Sequence, residues 1–175
     1  MSTAPQPSIT PEFAAGYRDI LADRIEFDMT ATARTIAAIP ENEKTYAPAE
    51  KSRTAWQLAV HLAVSEVWFL QAIVNRNFDW TGDPPDPVST VAELAPWYKQ
   101  NLAATLAKVR AMSPQQLSQP VNFFGIQNLP AALYLLWGHE HTVHHRGQLT
   151  AYLRPMGAKV PDIYGGSLDE PFTGA

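Results

Sequence analysis

The sequence predicts an all-α protein built as a four-helix bundle, and three observations carry that prediction. The 15 prolines cluster at positions 5–11, 40–48, 84–87, 114–130 and 155–171, with Pro96 as the one stray, which leaves four long proline-poor windows. Within those windows apolar residues recur every three or four positions, the period of a helix, with little of the alternation a strand would show. The first three windows each open on a threonine suited to cap a helix: Thr10, Thr54 and Thr90. At 175 residues the chain has the length of one domain, large enough to bury a core without disulfide or metal staples.

The first helix is expected to begin after Thr10 with Pro11 at its first position, to run Phe13, Tyr17, Ile20, Leu21 and Ile25 along one side, and to stop before Pro40. Thr54 and Gln57 have capping-box spacing, so the second helix should extend to about Asn75. Thr90 and Glu93 repeat that spacing at the head of a third helix ending near Met112. Pro96 lies too deep for the first turn, so a kink or a separate short turn is expected there. The fourth helix should start near Pro130 and reach about Arg154, where Pro155 and Gly157 end it. The third-to-fourth connection is long enough to cross over. Residues 1–9 read as a flexible N-terminus, and 156–175 as a Gly/Pro-rich tail over one end of the bundle.

Composition narrows the chemistry. With 13 Lys+Arg against 17 Asp+Glu the net charge is −4, so nucleic acid is not an expected partner. The absence of cysteine excludes disulfides, a thiolate nucleophile, Fe–S clusters and cysteine-type zinc sites, so a metal would need His, Asp or Glu. The first ten residues lack the basic and apolar regions of a secretory signal. The longest apolar run, Leu129 to Trp137, is too short for a span, and Ala55 to Val74 is interrupted by Gln57, His61 and Glu66. A cytoplasmic protein with no membrane partner is expected. P-loop, dinucleotide-binding, nucleophile-elbow and H-E-x-x-H signatures are missing.

Four of the five histidines lie in "HEHTVHH", positions 139–145. A helix turns about 100° per residue, so His145 lies about 40° from His141 and one turn along, whereas His139 lies about 160° away. His139 is therefore given no function and reads as a solvated or hydrogen-bonded residue. His144 flanks the pair, and Tyr134, Trp137, Gln148 and Tyr152 share its stripe within about 60°. The remaining histidine, His61, shares a face of the second helix with Leu58, Ser65, Trp68 and Ala72, while Glu66 points elsewhere. Spacing alone leaves His61, His141 and His145 open between one site and ordinary core and surface histidines.

The string "HTVHHRGQL" (141–149), the histidine in "WQLAVHLAVSE" (56–66) and the ending "YLRPMGAKVPDIYG" (152–165) resemble the DinB/YfiT-like superfamily of metal-binding four-helix bundles. The resemblance implies an up-up-down-down bundle, often a homodimer, with a divalent ion on His61, His141 and His145. Arg146 is then expected to brace neighbouring acids, and Gln148 to lie near the metal. Zinc is the default ion, with nickel, iron, manganese and copper also suited to imidazoles.

Two functions follow from that implied site. In the first, the protein is an enzyme whose ion activates water or the thiol of a low-molecular-weight cosubstrate, as in thiol S-transferases similar to this superfamily. Trp68, Trp137, Tyr134 or Tyr152 would wall the small-molecule substrate, with His144 nearby. In the second, it is a non-catalytic, stress-related metal-binding protein.

Overall fold

The computed structural model describes residues 7–80 and 88–174. The elements run α1 (Pro11–Ala37), α2 (Ala55–Asn75), α3 (Val91–Arg110), the short α4 (Pro114–Ser118), β1 (Pro120–Phe123), β2 (Gln127–Pro130) and α5 (Tyr134–Leu153). The long helices α1, α2, α3 and α5 form an all-α four-helix bundle, as expected. The expected flexible N-terminus falls partly on residues 1–6, outside the described residues.

Local hydrogen bonds set the helix ends. Thr10 accepts from the Phe13 amide, and capping boxes close reciprocally between Thr54 and Gln57 and between Thr90 and Glu93. Helix α3 runs unbroken through Pro96, with no separate turn before it. Pro96 and Ala92 are both exposed, so the Ala92 carbonyl that loses its partner faces solvent.

Contacts along the helices give their directions. Arg110 at the end of α3 pairs with Asp23 and Glu26 in α1, while Glu41, just past α1, accepts from the Val91 amide at the start of α3, so these two helices are antiparallel. Lys44, near the start of α2, reaches the carbonyl of Ser89, and Arg76 at its end reaches Gln116 and Pro120, so α2 and α3 are parallel. His61 meets His145 and Phe69 meets Gly138, so α5 opposes α2. The order is therefore up, down, down, up, rather than the up-up-down-down expected from the resemblance. The long return lies between α2 and α3, and the connection from α3 to α5 stays at one end instead of crossing over.

That connection holds the element the helical pattern missed, an antiparallel hairpin pairing Val121 with Leu129 and Asn122 with Asn128. Phe124 and Gly125 turn it with positive φ of 50° and 73°, the conformation that suits the twist of a tight hairpin. Tyr134 secures its base: its hydroxyl donates to the Val121 carbonyl at 2.9 Å and accepts from the Leu129 amide at 3.1 Å.

Packing splits the apolar side of α1: Ile25 is buried and Tyr17 and Leu21 pack against the core, while its other members face outward. Phe13 and Ile20 are 53% and 69% exposed, whereas Asp28, Thr32 and Thr35 are buried with Ile25 and Ile36. Helix α2 is apolar enough to cross a membrane by length and composition, with mean hydropathy 1.4, but 67% of its richest stretch is buried, as in a core helix. The tail folds back along α1: Arg34 binds the carbonyl of Asp162 and the carboxylate of Glu170, and the Tyr164 hydroxyl donates to Asp28 at 2.6 Å.

Candidate metal centre

Helix α2 supplies His61, and α5 supplies His141 and His145 one turn apart. One ring nitrogen from each lies within 4.8 Å of the others. The Nε2 atoms of His61 and His145 are 3.2 Å apart, and the ring centroids of His141 and His145 are 4.3 Å apart. All three side chains are partly buried. The backbones approach closely because Gly138 has no side chain: a Cβ there would stand 2.9 Å from Cβ of Phe69.

The rings are in the state a cation needs. Burial, then the charges of Arg53 and His145, lower His61 to about 4. Burial, then the neighbouring histidines and Arg53, lower His141 to about 4 as well. His145 is lowered chiefly by burial, against the raising effect of its hydrogen bond to Gln148. All three are neutral near pH 7 and carry lone pairs that a divalent ion can use.

Gln148 contributes orientation. Its Oε1 accepts from Nδ1 of His145 at 2.8 Å, which fixes the tautomer and turns Nε2 toward His61. Nδ1 of His141 is buried without a hydrogen-bond partner. A converging donor set with an unsatisfied buried nitrogen suits a metal better than it suits a plain apolar core. His144 lies beside the cluster, 4.9 Å from His145 between ring centroids, and is exposed.

The cavity against this cluster measures about 360 Å³ and is lined by Arg53, Trp56, Gln57, Val60, His61, Val64 and Trp80. None of the four aromatics expected to wall it is among these. Tyr134 is fully buried under the hairpin, and Trp137 packs against Phe123 and Tyr134. Tyr152 meets Tyr46 edge-on. Trp68 braces Trp80 from behind, 5.0 Å between centroids, and donates to the Asp79 carbonyl. Gln57 had a readable signal, since it precedes His61 by one helical turn, whereas Arg53 lies before the Thr54 cap, outside the helix. Trp80 had none, because it stands in a loop without periodicity. A larger cavity of about 850 Å³ lies between α1 and α3, walled by residues such as Ala33, Ala37, Val91 and Ala95 and containing no histidine. Size alone therefore does not locate the chemistry.

Behind the histidines lies a buried polar network. Arg146, adjacent to His145, points the other way and lies 3.2 Å from Asp28, as well as donating to Thr32 and to the hydroxyl of Tyr164. It braces an acid, as expected. Glu66, also buried, accepts from the Tyr98 hydroxyl at 2.5 Å, and burial lifts it to about 7 against the pull of Tyr98, Thr142 and Arg146. His139 is buried rather than solvated: Nε2 is 3.6 Å from Asp28, and Nδ1 has no partner. Its neighbour across the helix pair decides this, because α5 packs His139 against the polar interior face of α1.

An all-α bundle with three converging histidines defines a class of helical proteins with a preformed candidate metal centre. The chain belongs to the DinB family, whose model matches residues 20–172. It is 30% identical over 153 residues to the protein YrdA of Bacillus subtilis (strain 168), covering 83% of this chain and 86% of that one. It is 29% identical over 123 residues to YjoA of the same organism, covering 68% and 77%. Crystal structures of two DinB-like proteins share the fold, each with a TM-score of 0.69 and each covering 82% of this chain. One is YjoA of Bacillus subtilis, at 23% identity over 96% of its chain; the other, from Bacillus cereus ATCC 10987, is at 20% over 95%.

Proposed function

We propose that the protein holds one divalent metal ion on His61, His141 and His145 and acts as an enzyme on a small molecule, using the ion to activate a thiol or water. The convergence of three neutral imidazoles, of which His61 also lines a cavity, carries this reading. An ion held by three imidazoles keeps a position open and lowers the pKa of a water or thiol bound there. Gln148 holds His145 in its productive tautomer, while Trp56, Val60 and Val64 keep one wall of the cavity apolar. The chain has no cysteine, so a reacting thiol would belong to a low-molecular-weight cosubstrate. Zinc is the first ion to test, followed by nickel, iron, manganese and copper.

A second reading, a non-catalytic metal-binding stress protein, is favoured by one observation: among the described residues, the cavity lining includes no carboxylate to serve as a general base. The resemblance also suggests a homodimer. Phe13, Ile20 and Phe27, spaced by seven along α1 and more than half exposed, support such a surface. A cytoplasmic location agrees with a core helix as the chain's most apolar segment.

Elemental analysis of untagged protein purified without chelator, beside a His61→Ala/His141→Ala variant, tests the site. About one equivalent of a divalent metal in the wild type and almost none in the variant is the expected result. Failure of the wild type to load after reconstitution overturns it. The variant His145→Ala then separates the two functions: an enzyme loses thiol transfer or hydrolysis while staying folded, whereas a structural centre loses thermal stability.

A further inference from the structure

The floor of the histidine cavity is two-sided. Arg53, Gln57 and His61 follow one another at intervals of four, and Trp56, Val60 and Val64 do the same on the adjacent line. Arg53 stands just before the Thr54 cap of α2, and Gln57 and His61 follow on the helix one turn and about 6 Å apart, so a polar line runs from the head of the helix to His61, with an apolar line beside it. Trp80 faces both, 6.5 Å from His61 between ring centroids. A ligand that follows this floor needs a polar end at each extremity and an apolar side between them.

The charge at the head of the helix fixes the sign of one end. Arg53 is exposed, and among the described residues no carboxylate pairs with it or lines the cavity. Lys44, beside the same cavity, sits over the Trp56 ring at 5.2 Å and is already paired with Glu41. Arg53 is close enough to the centre for its charge to oppose protonation of His61, His141 and His145. A planar guanidinium beside a cavity that carries no acid among the described residues recognises a carboxylate in two-point fashion.

We infer that this cavity takes a small organic carboxylate with an aromatic or branched apolar body. The carboxylate lies on Arg53, the body lies between Trp56, Val60, Val64 and Trp80, and the far end reaches the histidines. A volume of about 360 Å³ is at the small end of the range for such ligands. The inference names the substrate class of the proposed metal enzyme and rests on that reading only for the far end, since the Arg53 end needs no metal.

The test titrates the full chain with 3-phenylpropanoate and with its neutral amide, followed by calorimetry and by quenching of tryptophan fluorescence. Metal-free and cobalt-loaded samples are compared for the wild type and Arg53→Gln, with cobalt content measured separately. The acid should bind the wild type about tenfold more tightly than the amide, and Arg53→Gln should remove that preference by weakening the acid far more than the amide. Equal binding of acid and amide, no binding of either, or an acid preference that survives Arg53→Gln overturns the inference. If neither cobalt nor any of the other divalent ions loads, the metal reading fails, and the Arg53 dependence in the metal-free protein still decides this one.

Discussion

The guanidinium of Arg146 lies 3.2 Å from the carboxylate of Asp28, with both side chains almost completely buried, at 2% and 1% exposure. His145, one residue earlier, turns away from Asp28 toward His61 and His141 in the candidate metal centre. One turn of α5 is thus fastened on its inner side to α1 and the tail, and offers a donor on its outer side. Removing the cation leaves a buried acid poorly compensated, because the remaining partners of Asp28 are the Tyr164 hydroxyl, the His139 ring at 3.6 Å and Arg24, whose side chain reaches in from the surface. Arg146→Met is expected to lower stability by about 3–5 kcal/mol, read from the urea midpoint. The double variant Arg146→Met/Asp28→Leu should recover much of that loss, and a single variant as stable as the wild type would contradict the role given to Arg146.

Glu66 gives the interior a pH dependence of definite sign. Its carboxyl is raised from 4.5 to about 7, chiefly by burial, so between those values the folded chain keeps a proton that the unfolded chain has released. Stability from this group therefore falls as pH rises from about 4.5 to about 7, by roughly 3 kcal/mol. Glu66→Gln keeps an acceptor for Tyr98 and has no charge to bury. The difference in unfolding free energy between variant and wild type should grow in the variant's favour across that window; a constant difference from pH 5 to pH 8 would show that Glu66 does not titrate there.

Gln148 touches no candidate ligand except His145, and its variant tests orientation without removing a donor. Gln148→Leu should weaken metal binding about 10- to 100-fold in a competition with a chromophoric chelator, with thermal stability of the metal-free protein nearly unchanged. Unaltered affinity would mean that the His145 tautomer is fixed by something else.

Gly138 keeps α2 and α5 close enough for His61 to meet the other two histidines. In Gly138→Ala the new Cβ meets Cβ of Phe69 at 2.9 Å, an atom fixed to the backbone, so the helices must part. A crowding cost of about 1–3 kcal/mol outweighs a helix-propensity gain of about 1 kcal/mol. A lower melting temperature together with weaker metal binding is expected; a stabilised variant would show that the spacing is set elsewhere.

The apolar stripe on α1 tests the proposed homodimer. Phe27 is 66% exposed on the stripe with Phe13 and Ile20, so Phe27→Glu should convert a dimer into a monomer in sedimentation equilibrium without unfolding the bundle. A wild type that sediments as a monomer at all concentrations would remove the proposal.

The ends of the helices were legible in the chain because they rest on interactions within four residues: Thr10 with Phe13, Thr54 with Gln57, Thr90 with Glu93. The stripe joining His141 and His145 was legible for the same reason, since helical spacing alone puts them on one face. The direction of each helix and the inward turn of Asp28, Thr32 and His139 were not, because they depend on which helices become neighbours. The hairpin left only a weak trace in "NFFGIQN" and was hidden by its short strands.

The sequence by itself determined four long helices, an acidic cysteine-free composition and a histidine pair one turn apart, all consequences of local geometry and residue type. Only the tertiary structure decided that His61 would face that pair, that Arg53 and Trp80 rather than Trp68, Tyr134, Trp137 and Tyr152 would border the cavity, and that α1 would turn Asp28, Thr32 and Thr35 inward beside Ile25 and Ile36. The physical reason is that one side chain, Arg146, satisfies an acid and a hydroxyl from α1 and a hydroxyl from the tail together, and no spacing along a single helix records who its partners across the core will be.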